Sequence, residues 1–274
     1  MNYIEISSLD CEEISLYTKY SEPQLLHANE PEAGFFVAES PEVINRAINA
    51  GYEPVSFLVE TQNITEAVSS VMEKCNVPIY TCEHEVIKDL PGYGMTRGML
   101  CMMRRKPLKK ITELIADART IVILEDVMNP TNIGAIMRSA AALNIDAMLL
   151  TSGCADPLYR RASRVSMGTV FQMPWTVFDK KMDWPTGVIS DIKDAGFTVI
   201  ATALLDNTLD IRDERIRSCE KKAIILGTEG TGIRKETLDI CDYTVKIPMA
   251  HGVDSLNVAA ASAVTFWEMT RLLD

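Results

Sequence analysis

The chain has 274 residues, 47% hydrophobic and 24% charged, with a formal net charge of −11. That balance excludes a disordered chain and leaves room for one large domain or two of ordinary size. It contains no run of about 18 apolar residues that would span a membrane, and the Met1–Glu5 start lacks the basic and apolar regions of a secretion signal. Residues 1–30 are polar and acidic, with short helical turns expected at Leu16-Tyr17 and Leu25-Leu26. Gly34–Ala38 predicts a buried strand, and Ser40-Pro41-Glu42 a helix start with proline at the first position, ending at Gly51. Val55–Val59 reads as a strand, Ile64–Lys74 as a helix, Pro78–Tyr80 as a strand, Val86–Leu90 as a helix and Met99–Met103 as a strand.

Arg104–Lys110 is charged, contains Pro107 and reads as a linker. Ile111–Ala118 is a short helical stretch. Strands and helices then alternate: strand Ile121–Leu124, helix Gly134–Leu143, strand Ala147–Leu150, helix Pro157–Val165, strand Phe171–Trp175, helix Thr186–Ala195 and strand Phe197–Ala203. Strand Lys222–Leu226, helix Lys235–Ile240, strand Tyr243–Ile247 and an Ala-rich helix Val258–Leu273 follow. Apolar strands without polar alternation, separated by helices, imply an α/β fold with a parallel sheet covered on both faces.

Seven cysteines lie scattered without a C-x-x-C pair, and the three histidines are far apart in the chain. This pattern points to reduced thiols in a cytosolic protein and to no metal site. A net negative charge argues mildly against nucleic acid, but binding depends on local patches. Two exist: Arg104-Arg105-Lys106 with Lys109-Lys110, and Arg160-Arg161 with Arg164. These are expected to face a polyanion.

Three loops carry possible chemistry. In the first, Asn129-Pro130-Thr131-Asn132-Ile133-Gly134 leads from a strand into a helix that also carries Arg138. Asn132 is placed to cap that helix, with Arg138 about 1.7 turns on, near a positive helix end. In the second, Gly227-Thr228-Glu229-Gly230-Thr231-Gly232 is a glycine-rich turn, lacking both the P-loop and the dinucleotide fingerprint. In the third, Ile247-Pro248-Met249 ends a strand, and Ser255-Leu256-Asn257 opens the last helix with Ser255 as its expected cap. Each alone also fits an ordinary strand–helix joint.

Together, N-x-G-x-x-x-R, L-G-x-E-G-x-G and I-P-M…S-L-N-V, in that order within residues 115–274, resemble the SpoU (TrmH-type) branch of the SPOUT RNA methyltransferases. The N-terminal part resembles, more loosely, a ribosomal-protein-L30e-like substrate-binding domain. The resemblance implies an L30e-like domain over 1–106, a linker over 107–114 and a methyltransferase domain over 115–274 with a deep trefoil knot. It implies S-adenosylmethionine as cofactor, held by Thr202, Ala203, Leu204, Gly227, Ile247, Met249 and Leu256. It implies methyl transfer to a ribose 2′-hydroxyl of RNA, ribosomal RNA ahead of transfer RNA, by a cytoplasmic homodimer. Arg138, Asn132, Glu229, Asn257 and Ser255 would serve the chemistry, while His251 lies in a loop that varies in the family. The rival from another class is a non-catalytic RNA-binding or assembly factor on the same scaffold.

Overall fold

The computed structural model describes residues 1–88, 90, 98–178, 181–205, 208–228 and 230–270. In chain order the first elements are β1 (Asn2–Glu5), α1 (Ser15–Thr18), α2 (Glu22–His27), β2 (Phe35–Glu39), α3 (Pro41–Asn49), β3 (Glu53–Glu60), α4 (Glu66–Met72), β4 (Pro78–Cys82), α5 (His84–Ile87) and β5 (Met99–Arg104). Next come α6 (Ile111–Ile115), β6 (Thr120–Leu124), α7 (Pro130–Ala142), β7 (Ala147–Leu150), α8 (Arg160–Val165), β8 (Trp175–Val177), α9 (Thr186–Asp194) and β9 (Thr198–Thr202). The chain closes with β10 (Leu209–Asp210), α10 (Glu214–Arg217), β11 (Lys222–Leu226), α11 (Lys235–Asp239), β12 (Tyr243–Lys246) and α12 (Val258–Met269).

These elements form two compact units. One comprises Met1–Pro107 with Leu158–Gln172, the other Leu108–Pro157 with Met173–Asp274. The first unit holds a mixed sheet in the order β1-β4-β3-β5-β2. Strand β1 is absent from the expected elements: it is a four-residue edge strand, mostly exposed, that adds in parallel to β4. Residues 158–172, which the sequence places in the C-terminal domain, group here because α8 packs on β2 and Phe171 packs within 5.7 Å of Phe36 and 5.2 Å of Tyr52. The same cluster corrects the expected strand at Phe171–Trp175. Thr169–Phe171 is a 3-10 turn, and the strand begins at Trp175, just past Pro174.

Arg104, Lys106, Arg160 and Arg164 of the expected polyanion patches are engaged inside this unit. Arg160 and Arg164 lie 3.6 and 3.3 Å from the fully buried carboxylate of Glu39. Arg104 lies near Glu32 and Glu53 and over the Phe35 ring, and Lys106 lies over Tyr52 and donates to the Ala50 carbonyl. A buried carboxylate keeps its charge only when cations face it, so these arginines neutralise Glu39 first.

The second unit is a seven-stranded sheet in the order β10-β12-β9-β11-β6-β7-β8, with every described pairing parallel. One face buries Ile121, Ile123, Leu149, Val199, Ala201 and Ile225 against α6 and α9. The alternate residues Val122, Leu124, Met148, Leu150, Ile200 and Ile224 are fully buried as well. Side chains alternate across a strand, so both faces are covered, which is why these strands lack polar alternation. Two short elements, β10 and α10, are additions to the expected order.

Candidate active site

The C-terminal ends of three neighbouring parallel strands, β12, β9 and β11, open into one cavity of about 680 Å³. This is the usual place for a ligand in an open α/β sheet, and the volume suits a small molecule. Its walls come from three stretches. Thr202–Leu205 ends β9, Gly227-Thr228 and Gly230–Ile233 follow β11, and Ile247 with Met249 and Asp254–Val258 leads from β12 into α12. Thr202, Ala203, Leu204, Gly227, Ile247, Met249 and Leu256, all named from the sequence, line it together, as do Ser255 and Asn257. Leu205, Ile211 and Val245 also line it and carry no motif that would announce them. Thr202 Oγ1 donates to the Ile225 carbonyl at 3.1 Å, and Ala203 N to the Val245 carbonyl at 3.0 Å. Those bonds fix the rim to the two flanking strands.

The caps differ from expectation. Asn257, not Ser255, caps α12: its Oδ1 accepts from Ala259 N at 2.9 Å. Its Nδ2 donates to Asn132 Oδ1 at 3.3 Å, so one amide ties α12 to α7. Asn129, not Asn132, caps α7, accepting from Thr131 N at 2.9 Å. Pro130 occupies the first helical position, which its fixed φ suits, and so starts the helix a turn early. Asn132 is therefore a buried residue inside α7. Arg138 is exposed in the third turn of the helix and is not among the residues that line the cavity. Glu229 lies outside the described residues. His251 is exposed, with φ of 56°, in a turn before Ser255.

A carboxylate network supports one wall and was not anticipated. Glu125 and Asp126, just past β6, reach Arg234 and Thr237 at the start of α11. Nearby thiols offer no nucleophile, because burial pushes Cys154 up to about 11 and Cys241 up to about 12.

The cavity fits a nucleoside-bearing cofactor. Leu226, Val245, Leu256 and Ala261 give it apolar walls, and backbone from the two loops forms its rim. Thr265 on α12 lines it too, fully buried, with a hydroxyl that has no hydrogen-bond partner among the described residues. A buried hydroxyl left unpaired costs about 1–3 kcal/mol, so a ligand that pairs with it gains by doing so.

The model of the SpoU rRNA methylase family matches residues 119–267. The chain belongs to this family. An uncharacterized tRNA/rRNA methyltransferase of Mycobacterium bovis is 36% identical over 236 residues, which span 86% of this chain and 80% of that protein. A 23S rRNA (guanosine-2′-O-)-methyltransferase of Vibrio vulnificus is 30% identical over 61% of this chain and 68% of its own length. Among solved structures, an RNA 2′-O ribose methyltransferase superposes with a TM-score of 0.78 at 25% identity, over 98% of this chain and 100% of the other. An AdoMet-bound rRNA methyltransferase from Sinorhizobium meliloti superposes with a TM-score of 0.79 at 22% identity, over 99% of both chains. As in those SpoU relatives, the fold is a mixed α/β one with a parallel sheet in its methylase part. No helix among the described residues is long and apolar enough to cross a membrane, and no metal-binding cluster of His, Cys, Asp and Glu occurs among them.

Proposed function

We propose that this SpoU protein binds S-adenosylmethionine in the β12–β9–β11 cavity and methylates a ribose 2′-hydroxyl of RNA. The observation that carries this is the convergence of the loops of two family motifs and the end of β9 on one cavity, with Asn132 of the remaining motif bonded to Asn257 at its rim. The cofactor, when bound, supplies a methyl group already activated by its sulfonium. The demand then falls on the ribose hydroxyl, a weak acid that must be oriented and must lose its proton. Arg138 is a poor base, so its role is to hold the hydroxyl and a neighbouring phosphate. Asn257 and Asn132 set the geometry where α12 meets α7, with Ser255 beside them and Glu229 orienting Arg138 or the substrate. Ribosomal RNA is the leading substrate and transfer RNA the second. The N-terminal unit is the RNA-holding, L30e-like part, the closing segment threads the family's trefoil knot, and the protein works in the cytoplasm.

The test is methyl transfer from labelled S-adenosylmethionine to separate ribosomal and transfer RNA pools, with the modified position mapped. Label on a ribose 2′-oxygen is expected. Label on a base overturns the ribose assignment, and RNA binding without any transfer leaves the non-catalytic scaffold as the function.

A homodimer is part of this proposal. Ala260, Val264 and Trp267 recur at i, i+4 and i+7 on α12, and Trp267 is 65% and Val264 42% exposed. An apolar stripe on the helix that also lines the cavity suits contact with a second copy. Trp267→Glu is expected to raise the dimer dissociation constant about 100-fold, since a charge facing an apolar partner loses its solvation. Sedimentation at micromolar concentration reads this, and an unchanged dimer rules out that face.

A further inference from the structure

We propose that Glu125 and Asp126 are positioning residues for the glycine-rich wall of the cavity, acting on the cofactor through the start of α11. The proposal rests on the cavity being the S-adenosylmethionine site. Helix α11 has no cap of its own, because its N-cap residue is Arg234, whose side chain caps nothing. Glu125 supplies the missing acceptor from across the sheet. Its Oε1 accepts from Arg234 N at 2.7 Å, and its Oε2 accepts from Thr237 Oγ1 at 2.6 Å and from Trp184 Nε1 at 3.1 Å. Three donors meet both oxygens of a carboxylate that is 1% exposed. Asp126 adds an ion pair to the Arg234 guanidinium and is itself held by Thr151, whose hydroxyl donates to Oδ1 at 2.9 Å.

Arg234 directly follows Gly230–Ile233, which line the cavity. Strand β11 fixes the near end of that loop, and the two carboxylates fix the far end. A loop with Gly230 at φ 95° and Gly232 at φ 70° has much backbone freedom to lose on binding. Holding its far end reduces that loss before the cofactor arrives.

Glu125→Gln puts an NH2 where an acceptor is needed, so one of the three donors is left unpaired. The expected result is an S-adenosylmethionine Kd raised about tenfold or more, with kcat at saturating cofactor within about twofold of the parent and a Tm lowered by only a few degrees. Hydrogen exchange at 230–238, measured without cofactor, should quicken about tenfold while β6 and β11 stay protected. Combined with Thr237→Val, the losses should not add. Asp126→Asn is the second variant, because asparagine tolerates the φ of 54° at this position. It should raise Kd about threefold, as a half-exposed arginine pair is worth little. Unchanged Kd and exchange in both variants overturn the proposal, as does protection lost across the whole sheet, which would make Glu125 a fold-stabilising residue only. If the parent itself binds no S-adenosylmethionine, the cavity assignment falls and takes the cofactor role with it. Parent binding with unaltered variants sinks this proposal alone.

Discussion

Arg138→Ala is expected to lower methyl transfer by about 10²–10⁴-fold while leaving S-adenosylmethionine affinity within about threefold of the parent. The separation follows from where Arg138 sits. It is exposed in the third turn of α7 and is not in the cavity wall, so its removal takes nothing from the cofactor's surroundings. Nor should α7 unfold, since Asn132, Ile133, Ile136, Met137 and Ala140 bury the opposite side of the helix. Arg138→Lys refines the test. Lysine keeps the charge but cannot grip a phosphate or hydroxyl with two parallel N–H groups, so activity should remain well below the parent. Single-turnover methylation of RNA, set beside cofactor titration by calorimetry, gives both numbers. Parent-like transfer in Arg138→Ala would remove the residue from the chemistry.

The distance of Arg138 from the cavity marks the limit of what the residue order conveys. The parallel sheet was legible because β6, β7, β9 and β11 are unbroken apolar runs, and two-sided burial leaves no polar alternation to read. The cavity loops after β11 and β12 were legible because each ends a strand and opens a helix, with glycine, proline or asparagine at the joint, whereas Thr202–Leu205 leads on to β10 and was named only through the family resemblance. The caps were misplaced because two suitable cap residues stand within three positions, at 129 and 132 and again at 255 and 257. Geometry chooses between them: Pro130 does so for α7, and the tie to Asn132 accompanies the choice of Asn257 for α12. Glu125-Asp126 escaped notice because charged residues after a strand usually face water. Only tertiary structure reveals that α11 lacks a cap and borrows one from Glu125, 109 positions before Arg234 and 112 before Thr237 in the chain. Thr265 was invisible for a similar reason, being one hydroxyl in an Ala-rich helix. Strands β1 and β10 are short edge strands, and pairing with β4 and β12 rather than local pattern defines them.

Gly227→Ala should weaken S-adenosylmethionine binding by about 100-fold, the upper end of what overpacking by one methyl costs. A Cβ at this position would lie 2.5 Å from the carbonyl carbon of Gly232, 2.6 Å from Ile233 N and 2.7 Å from the Gly232 oxygen. All three are backbone atoms, so no side chain can turn aside, and the loop itself must move. That loop is closed on itself by Gly232 N donating to the Thr228 carbonyl at 3.1 Å. Displacing Gly232 and Ile233 opens this contact and shifts the same wall that Glu125 and Asp126 hold from its other end. Strand β11 should survive, because Ala223, Ile224 and Ile225 are fully buried and do not depend on the turn. Thermal unfolding should therefore change by only a few degrees while calorimetric affinity collapses. Affinity kept within threefold would show that the loop can yield without harm, and that the absence of a side chain at 227 serves folding and not the cofactor.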